Sequence, residues 1–337
     1  MNRIQYIDIS KGIGIILVVI GHCLNMQSTI GNWIYSFHMP FFFFISGYCY
    51  NELKYNTLNV LFISRFKQLI LPYYNFAFMI LLANSFLLPR SSGFFETFLL
   101  NIKAFLSTGS LGALWFLPIL FLSGILFYFI LKIKQAKILI IIFLVLSILP
   151  FVLIKYIEPP YSLLSLFSAT CFFAFGFFSK NQLKTIYEKI NLKYVTILVF
   201  VFFIVTVLFS LLVRRQINLI EYSLNSYLQY YFAAFIGIFF IFYLSIFIEK
   251  VFKSNMFLSV LNFLTYLGKN TLIIMATHFL FITLSANYIR SIIPSFIAYK
   301  VIEQIFVWSL VLLSIYLINN YFSWIIGSRK LVNNKQV

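Results

Sequence analysis

The chain has 337 residues, of which 62% are hydrophobic and only 10% charged. Soluble domains carry about 25% charged residues, so this chain lacks the polar surface of a water-soluble fold and must use lipid as its solvent. A net charge of +17 does not point to nucleic acid, because the basic residues form neither a tail nor a patch. They sit in short loops between apolar runs, where positive charge fixes topology and favours anionic headgroups.

A spanning helix needs about 20 predominantly apolar residues. Candidate runs follow one another at 12–30, 33–50, 70–88, 114–131, 138–154, 163–179, 194–212, 227–248, 268–287 and 301–323. They predict an all-α, polytopic transmembrane helix bundle of about ten spanning helices, forming a single integral-membrane domain over 1–337. No internal repeat is visible. Asp8 and Lys11 lead straight into the first run, so it reads as a retained span rather than a cleaved leader.

Orientation follows from the basic residues. Most lie in the terminal segments and the loops at 51–69, 132–137, 180–193 and 249–253, which fall on one side. The other side holds Arg90, Lys103, Lys155, Arg214, Arg215, Arg290 and Lys300. This bias predicts both termini in the cytoplasm. Cys23, Cys49 and Cys171 lie inside apolar segments without metal-ligand spacing, so no metal site is expected.

Ionisable residues at depth are the informative ones in a membrane protein. In the first run, Lys11 and His22 are about three helical turns apart and share one face, with Asp8 and Asn25 close to it. His22 falls about 16 Å deeper than Lys11, near the bilayer midplane. Gly12, Gly14 and Gly21 permit another backbone or a ligand to approach. A neutral imidazole at this depth can take a proton from a hydroxyl, as a general base must. An interhelical hydrogen bond is the plainer reading.

The second run begins Trp33-Ile-Tyr-Ser-Phe-His38-Met-Pro40 and continues through Ser46, Gly47 and Tyr48. Pro40 deprives the Ser36 carbonyl of its donor and predicts a kink. Such a turn inside a membrane is tolerated when buried in protein or lining a cavity. Arg65 and Lys67 precede Pro72 on the same side as Lys11, where they could clamp phosphate or simply fix topology. Trp115 opens the fourth run as an interface anchor ahead of Pro118. His278 is a second deep histidine, either ligand-lining or structural. Arg214, Arg215 and Glu221 read as a solvated outward loop.

The run from Asp8 through Lys11 to His22 resembles the opening of the acyltransferase family 3 membrane proteins. The stretch Ser36-Phe-His38-Met-Pro40-Phe41, followed by Phe44-Ile-Ser46-Gly47-Tyr48, resembles their second-helix signature. Arg65 to Tyr73, Trp115 to Pro118, and Gly268-Lys-Asn270 to His278 are similar in order and spacing. The resemblance spans essentially the whole chain. It implies an integral-membrane O-acyltransferase using an acyl donor, usually acetyl-CoA, on the cytoplasmic side. The implied acceptor is a hydroxyl of a cell-surface glycan or lipid-linked sugar. Lys11 stands where many members have Arg, which resembles the branch of sugar and fucose O-acetylases. The spans use up the chain, so no appended hydrolase-like domain is expected.

Under this resemblance His22 is the catalytic base, with Asp8 shaping the cavity. Lys11, Arg65 and Lys67 bind the donor. Asn25, His38, Ser46, Tyr48, Trp115 and His278 line the acceptor site. Direct transfer and an acyl-histidine intermediate both fit these residues. A transporter or flippase of a lipid-linked sugar is the rival function, since deep histidines and broken helices also suit a proton-coupled carrier. A non-catalytic membrane scaffold is the third.

Overall fold

The computed structural model describes residues 4–24, 28–87, 93–109, 111–157, 162–212, 227–252 and 257–327. Among them there is no strand. The helices are α1 (Gln5–Cys23), α2 (Thr29–Tyr35), α3 (His38–Tyr48), α4 (Leu58–Arg65), α5 (Leu71–Leu87), α6 (Phe94–Thr108) and α7 (Phe116–Ile130). They continue with α8 (Ala136–Leu153), α9 (Ser165–Lys189), α10 (Leu192–Leu212), α11 (Tyr227–Val251), α12 (Leu258–Lys269), α13 (Thr271–Tyr288) and α14 (Phe296–Asn320). Eight helical stretches among the described residues are long and apolar enough to cross a membrane. The chain is an all-α, multi-pass membrane bundle.

Three differences from the sequence expectation bear on the candidate site residues. The first helix begins at Gln5 and stops at Cys23, seven residues short of the predicted end at 30. Ser28 restarts the chain by accepting the Gly31 backbone N–H as an N-cap. The second run is two helices, α2 and α3, rather than one kinked helix. Pro40 falls in the first turn of α3, where its missing N–H does no harm. The third difference is a π-helical turn at Phe66–Ile70, where the Leu71 N–H reaches back to the Phe66 carbonyl. It joins α4 to α5 into one apolar stretch, Leu58–Leu87. Pro72 follows at once and cannot donate to an ordinary helical ladder.

Two compact units make up the chain. The first comprises Met1–Leu53 and Leu122–Thr271, the second Lys54–Phe121 and Leu272–Val337. In the first unit α1 packs on α12 and α11, α3 on α9, and α10 on α11. In the second, α5 packs on α6 and on the 3-10 turn Ser323–Ile326. The α8 and α10 windows are each only 11% buried. Their apolar surface is therefore offered to lipid.

Glycine sets the closest approaches in the first unit. A Cβ on Gly47 would strike the Phe173 carbonyl, and one on Gly176 would strike the Phe44 carbonyl. The α3–α9 contact is thus reciprocal and backbone to backbone. The same reciprocity joins α1 to α12, where Gly12 faces the Leu264 carbonyl and Gly268 the Asp8 carbonyl. Lipid supplies no hydrophobic drive between helices, so such close packing carries the association.

Gly176→Val forces α3 and α9 apart and is expected to destabilise by about 1–3 kcal/mol or more. Gly124, with nothing within 4 Å of its added Cβ, serves as control. Thermal unfolding in detergent should show a lowered midpoint for Gly176→Val and none for Gly124→Ala. Equal midpoints would refute the packing role.

Candidate active site

Two site candidates of the first unit, His22 and His38, meet where α1 ends and α2 gives way to α3. His22 is the penultimate residue of α1, Tyr35 the last of α2 and His38 the first of α3. Gly21 lets α2 approach α1 here. A Cβ on it would meet Ile34 Cγ2 at 3.0 Å and the Tyr35 ring at 3.6 Å. Tyr35 Oη then lies 2.7 Å from His22 Nδ1. The Tyr35 ring stands edge-on to both imidazoles, 5.4 Å from His22 and 4.8 Å from His38 between centroids. The two histidine rings are 6.2 Å apart.

The break between α2 and α3 explains the setting of His38. In a continuous helix its backbone N–H would bond to the Ile34 carbonyl. Here that carbonyl accepts from the Phe37 N–H at 3.3 Å and from the imidazole Nδ1 at 3.0 Å. A carbonyl can only accept, so Nδ1 carries the hydrogen and Nε2 the lone pair. His278 is fixed the same way within the second unit, with Nδ1 2.9 Å from the Ile274 carbonyl. His38 and His278 are buried, whereas His22 is partly open.

Lys11 shares α1 with His22 and is partly exposed. Asp8 is buried in the first turn of α1, about 21 Å from His22 along the axis. Ser46 and Tyr48 lie on the later part of α3, away from His38. Ser46 Oγ donates to the Phe42 carbonyl of its own helix, and Tyr48 Oη shares a 2.6 Å bond with Tyr6 Oη. Asn25 lies outside the described residues, as do Arg90, Arg214, Arg215 and Glu221.

Within the second unit, Arg65 closes α4 just before the π-helical turn and lies over the Tyr55 ring at 5.1 Å. Lys54 approaches the same ring at 5.4 Å. Lys67 is exposed in the π-helical turn. Trp115 is buried in a 3-10 turn ahead of α7. Among the described residues no group of three or more His, Cys, Asp or Glu could hold a metal ion.

Three features were not anticipated. Tyr35 is the direct partner of His22, and its only signal was a tyrosine three residues before His38. Tyr6, which bonds Tyr48, also stacks on Tyr187, whose hydroxyl donates to Glu249 Oε1 at 3.2 Å. Burial and the Glu249 carboxylate push the Tyr187 phenol up to about 12. In the second unit, buried Glu303 accepts from Tyr299 at 2.7 Å and Lys300 at 2.8 Å.

A polytopic helical membrane protein with a histidine–tyrosine–histidine cluster between helix ends is the class these observations define. The family model for the acyltransferase domain of acyltransferase family 3 matches residues 4–327. The chain belongs to that family and is a membrane acyltransferase. No curated protein and no solved structure gives a significant match.

His38→Leu leaves the Ile34 carbonyl without its imidazole hydrogen and should cost about 1–3 kcal/mol. His38→Asn places an amide nitrogen where Nδ1 stood and should restore much of that loss. Denaturation midpoints in detergent check both. A His38→Leu variant as stable as wild type would show that the bond does not hold the break.

Proposed function

We propose that the chain is an O-acetyltransferase that moves the acetyl group of acetyl-CoA to a hydroxyl of a cell-surface glycan or lipid-linked sugar. The observation that carries this reading is the setting of His22. It is partly open, lies on the same helix as a cation, and is held by a hydroxyl from the neighbouring helix. The family match adds that acyl transfer is the chemistry to be explained.

In this reading His22 is the general base. It removes the proton of the acceptor hydroxyl as that oxygen attacks the thioester carbonyl carbon. The tetrahedral intermediate collapses with cleavage of the carbon–sulfur bond, and the CoA thiolate takes the proton back from the imidazolium. The acetyl ester and free CoA are the products, and no charge is left over. Lys11 provides a cation for the phosphates of the donor. In the second unit, Arg65, restrained beside Tyr55, carries the bidentate fork that suits a phosphate. Lys11 in place of Arg favours a sugar O-acetylase. The protein is placed in a bacterial cytoplasmic membrane, and the distribution of basic residues supports both termini inside.

The α2–α3 break gives the carrier reading its one specific support, since interrupted helices also form transport sites. Vesicles carrying the protein, supplied with radiolabelled acetyl-CoA, separate the two. Label should enter membrane glycans or lipids, and His22→Ala should reduce it about 100-fold or more. A sugar or lipid that crosses the vesicle unaltered, with acetyl-CoA neither bound nor consumed, would replace the transferase with a carrier. Full transfer by His22→Ala would remove His22 as the base.

A further inference from the structure

The hydrogen bond at His22 differs in kind from those at the other two histidines. His38 and His278 each face a backbone carbonyl, so their proton positions follow from the partner. His22 Nδ1 faces the Tyr35 hydroxyl at 2.7 Å, and a hydroxyl can donate or accept. The two choices have opposite chemical consequences. If Tyr35 donates to Nδ1, the imidazole hydrogen sits on Nε2, and the one lone pair of a neutral His22, on Nδ1, is occupied by the Tyr35 hydrogen. If His22 donates from Nδ1, the lone pair is on Nε2 and the ring is a competent base.

We propose that Tyr35 is the positioning residue of the transfer site, accepting the Nδ1 hydrogen of His22 and so fixing the tautomer with a basic Nε2. This rests on His22 being the base of the transfer. During the reaction the acceptor proton adds to Nε2 and leaves from Nε2 to the thiolate. The Nδ1 hydrogen stays in its bond to Tyr35 throughout, and the Tyr35 proton is not transferred. Tyr35 therefore has the role that a carboxylate fills when it orients an imidazole base.

Several features fit a phenol for this position. A carboxylate there would bring a charge into an apolar bundle, whereas a hydroxyl orients the ring without one. The phenol itself is held rigidly. Tyr35 is 7% exposed, and its ring is fixed edge-on between the two imidazoles. It is the last residue of α2, and the bare face of Gly21 brings that helix end against α1, one residue from His22. The bond thus joins α1 to α2 across 13 residues of chain, whereas those of His38 and His278 reach back only 4 residues.

The test uses the full chain in lipid with nitrogen-15 in its 3 histidines, the signals being assigned with His38→Asn and His278→Asn. In wild type, His22 should show a protonated Nδ1 and an unprotonated Nε2. Tyr35→Phe keeps the ring contacts and removes only the hydroxyl. It should release His22 into a mixture of both tautomers. In the transfer assay kcat should fall about 10-fold or more while the KM for acetyl-CoA stays unchanged. An unprotonated Nδ1 in wild type would overturn the proposal, as would a spectrum and kcat indifferent to Tyr35→Phe in an active transferase. A locked tautomer in a protein that transfers no acetyl group would overturn the transfer reading, and with it the positioning role. The spectrum needs no turnover, so the two failures are told apart.

Discussion

A carbonyl inside an apolar bundle must find a hydrogen, because lipid offers none. Where α2 ends and α3 begins, the helical ladder is interrupted and the Ile34 carbonyl is met by the Phe37 N–H at 3.3 Å. The His38 imidazole supplies a second hydrogen at 3.0 Å. This side-chain bond braces the interruption. It fixes the His38 ring in place, and it leaves Tyr35 at a helix end where its hydroxyl can turn to α1. The arrangement of the whole histidine cluster follows from it.

Glycine then decides which surfaces can meet. Gly14 accepts the Phe41 ring of α3, and Gly237 the Phe37 ring at the α2–α3 junction. Gly47 and Gly176 bring α3 and α9 together backbone to backbone. Each contact is short-ranged and directional, so together they define the position of α3 closely. A reactive group needs such a frame, since a displacement of about 1 Å can cost two orders of magnitude in rate.

Much of this was legible in the sequence. Apolar runs separated by basic loops predicted the bundle, and the spacing of Lys11 and His22 placed them along one helix. Pro40 marked the irregular second run, although it marked a full break rather than a kink. What local pattern could not supply was the destination of side chains that cross between helices. Tyr48 belongs to a motif with His38, yet its hydroxyl pairs with Tyr6, far from that histidine in sequence. Tyr35 meets His22 because Gly21 is bare, a relation of three residues on two helices. Glu303 was legible by the rule that singled out His22, for it is an acid inside an apolar run. It lies inside the run predicted at 301–323, yet it was not singled out.

The polar groups of the first unit divide by what their bonds permit. The Tyr187–Glu249 bond and the carbonyl-bound His38 have partners that settle where the hydrogen sits. Such bonds restrain helices, and moving a proton through them leaves a buried group poorly matched. The His22–Tyr35 bond is the exception among the histidines, because a hydroxyl can donate or accept and so does not by itself dictate which nitrogen carries the hydrogen. His22 is also the histidine that is not fully buried. A base must be reachable by its substrate, oriented by its neighbour, and able to hold an extra proton without losing that neighbour. Under the proposed function His22 meets all three conditions, whereas buried His38 fails the first, and this difference supports placing His38 in the frame and His22 in the chemistry.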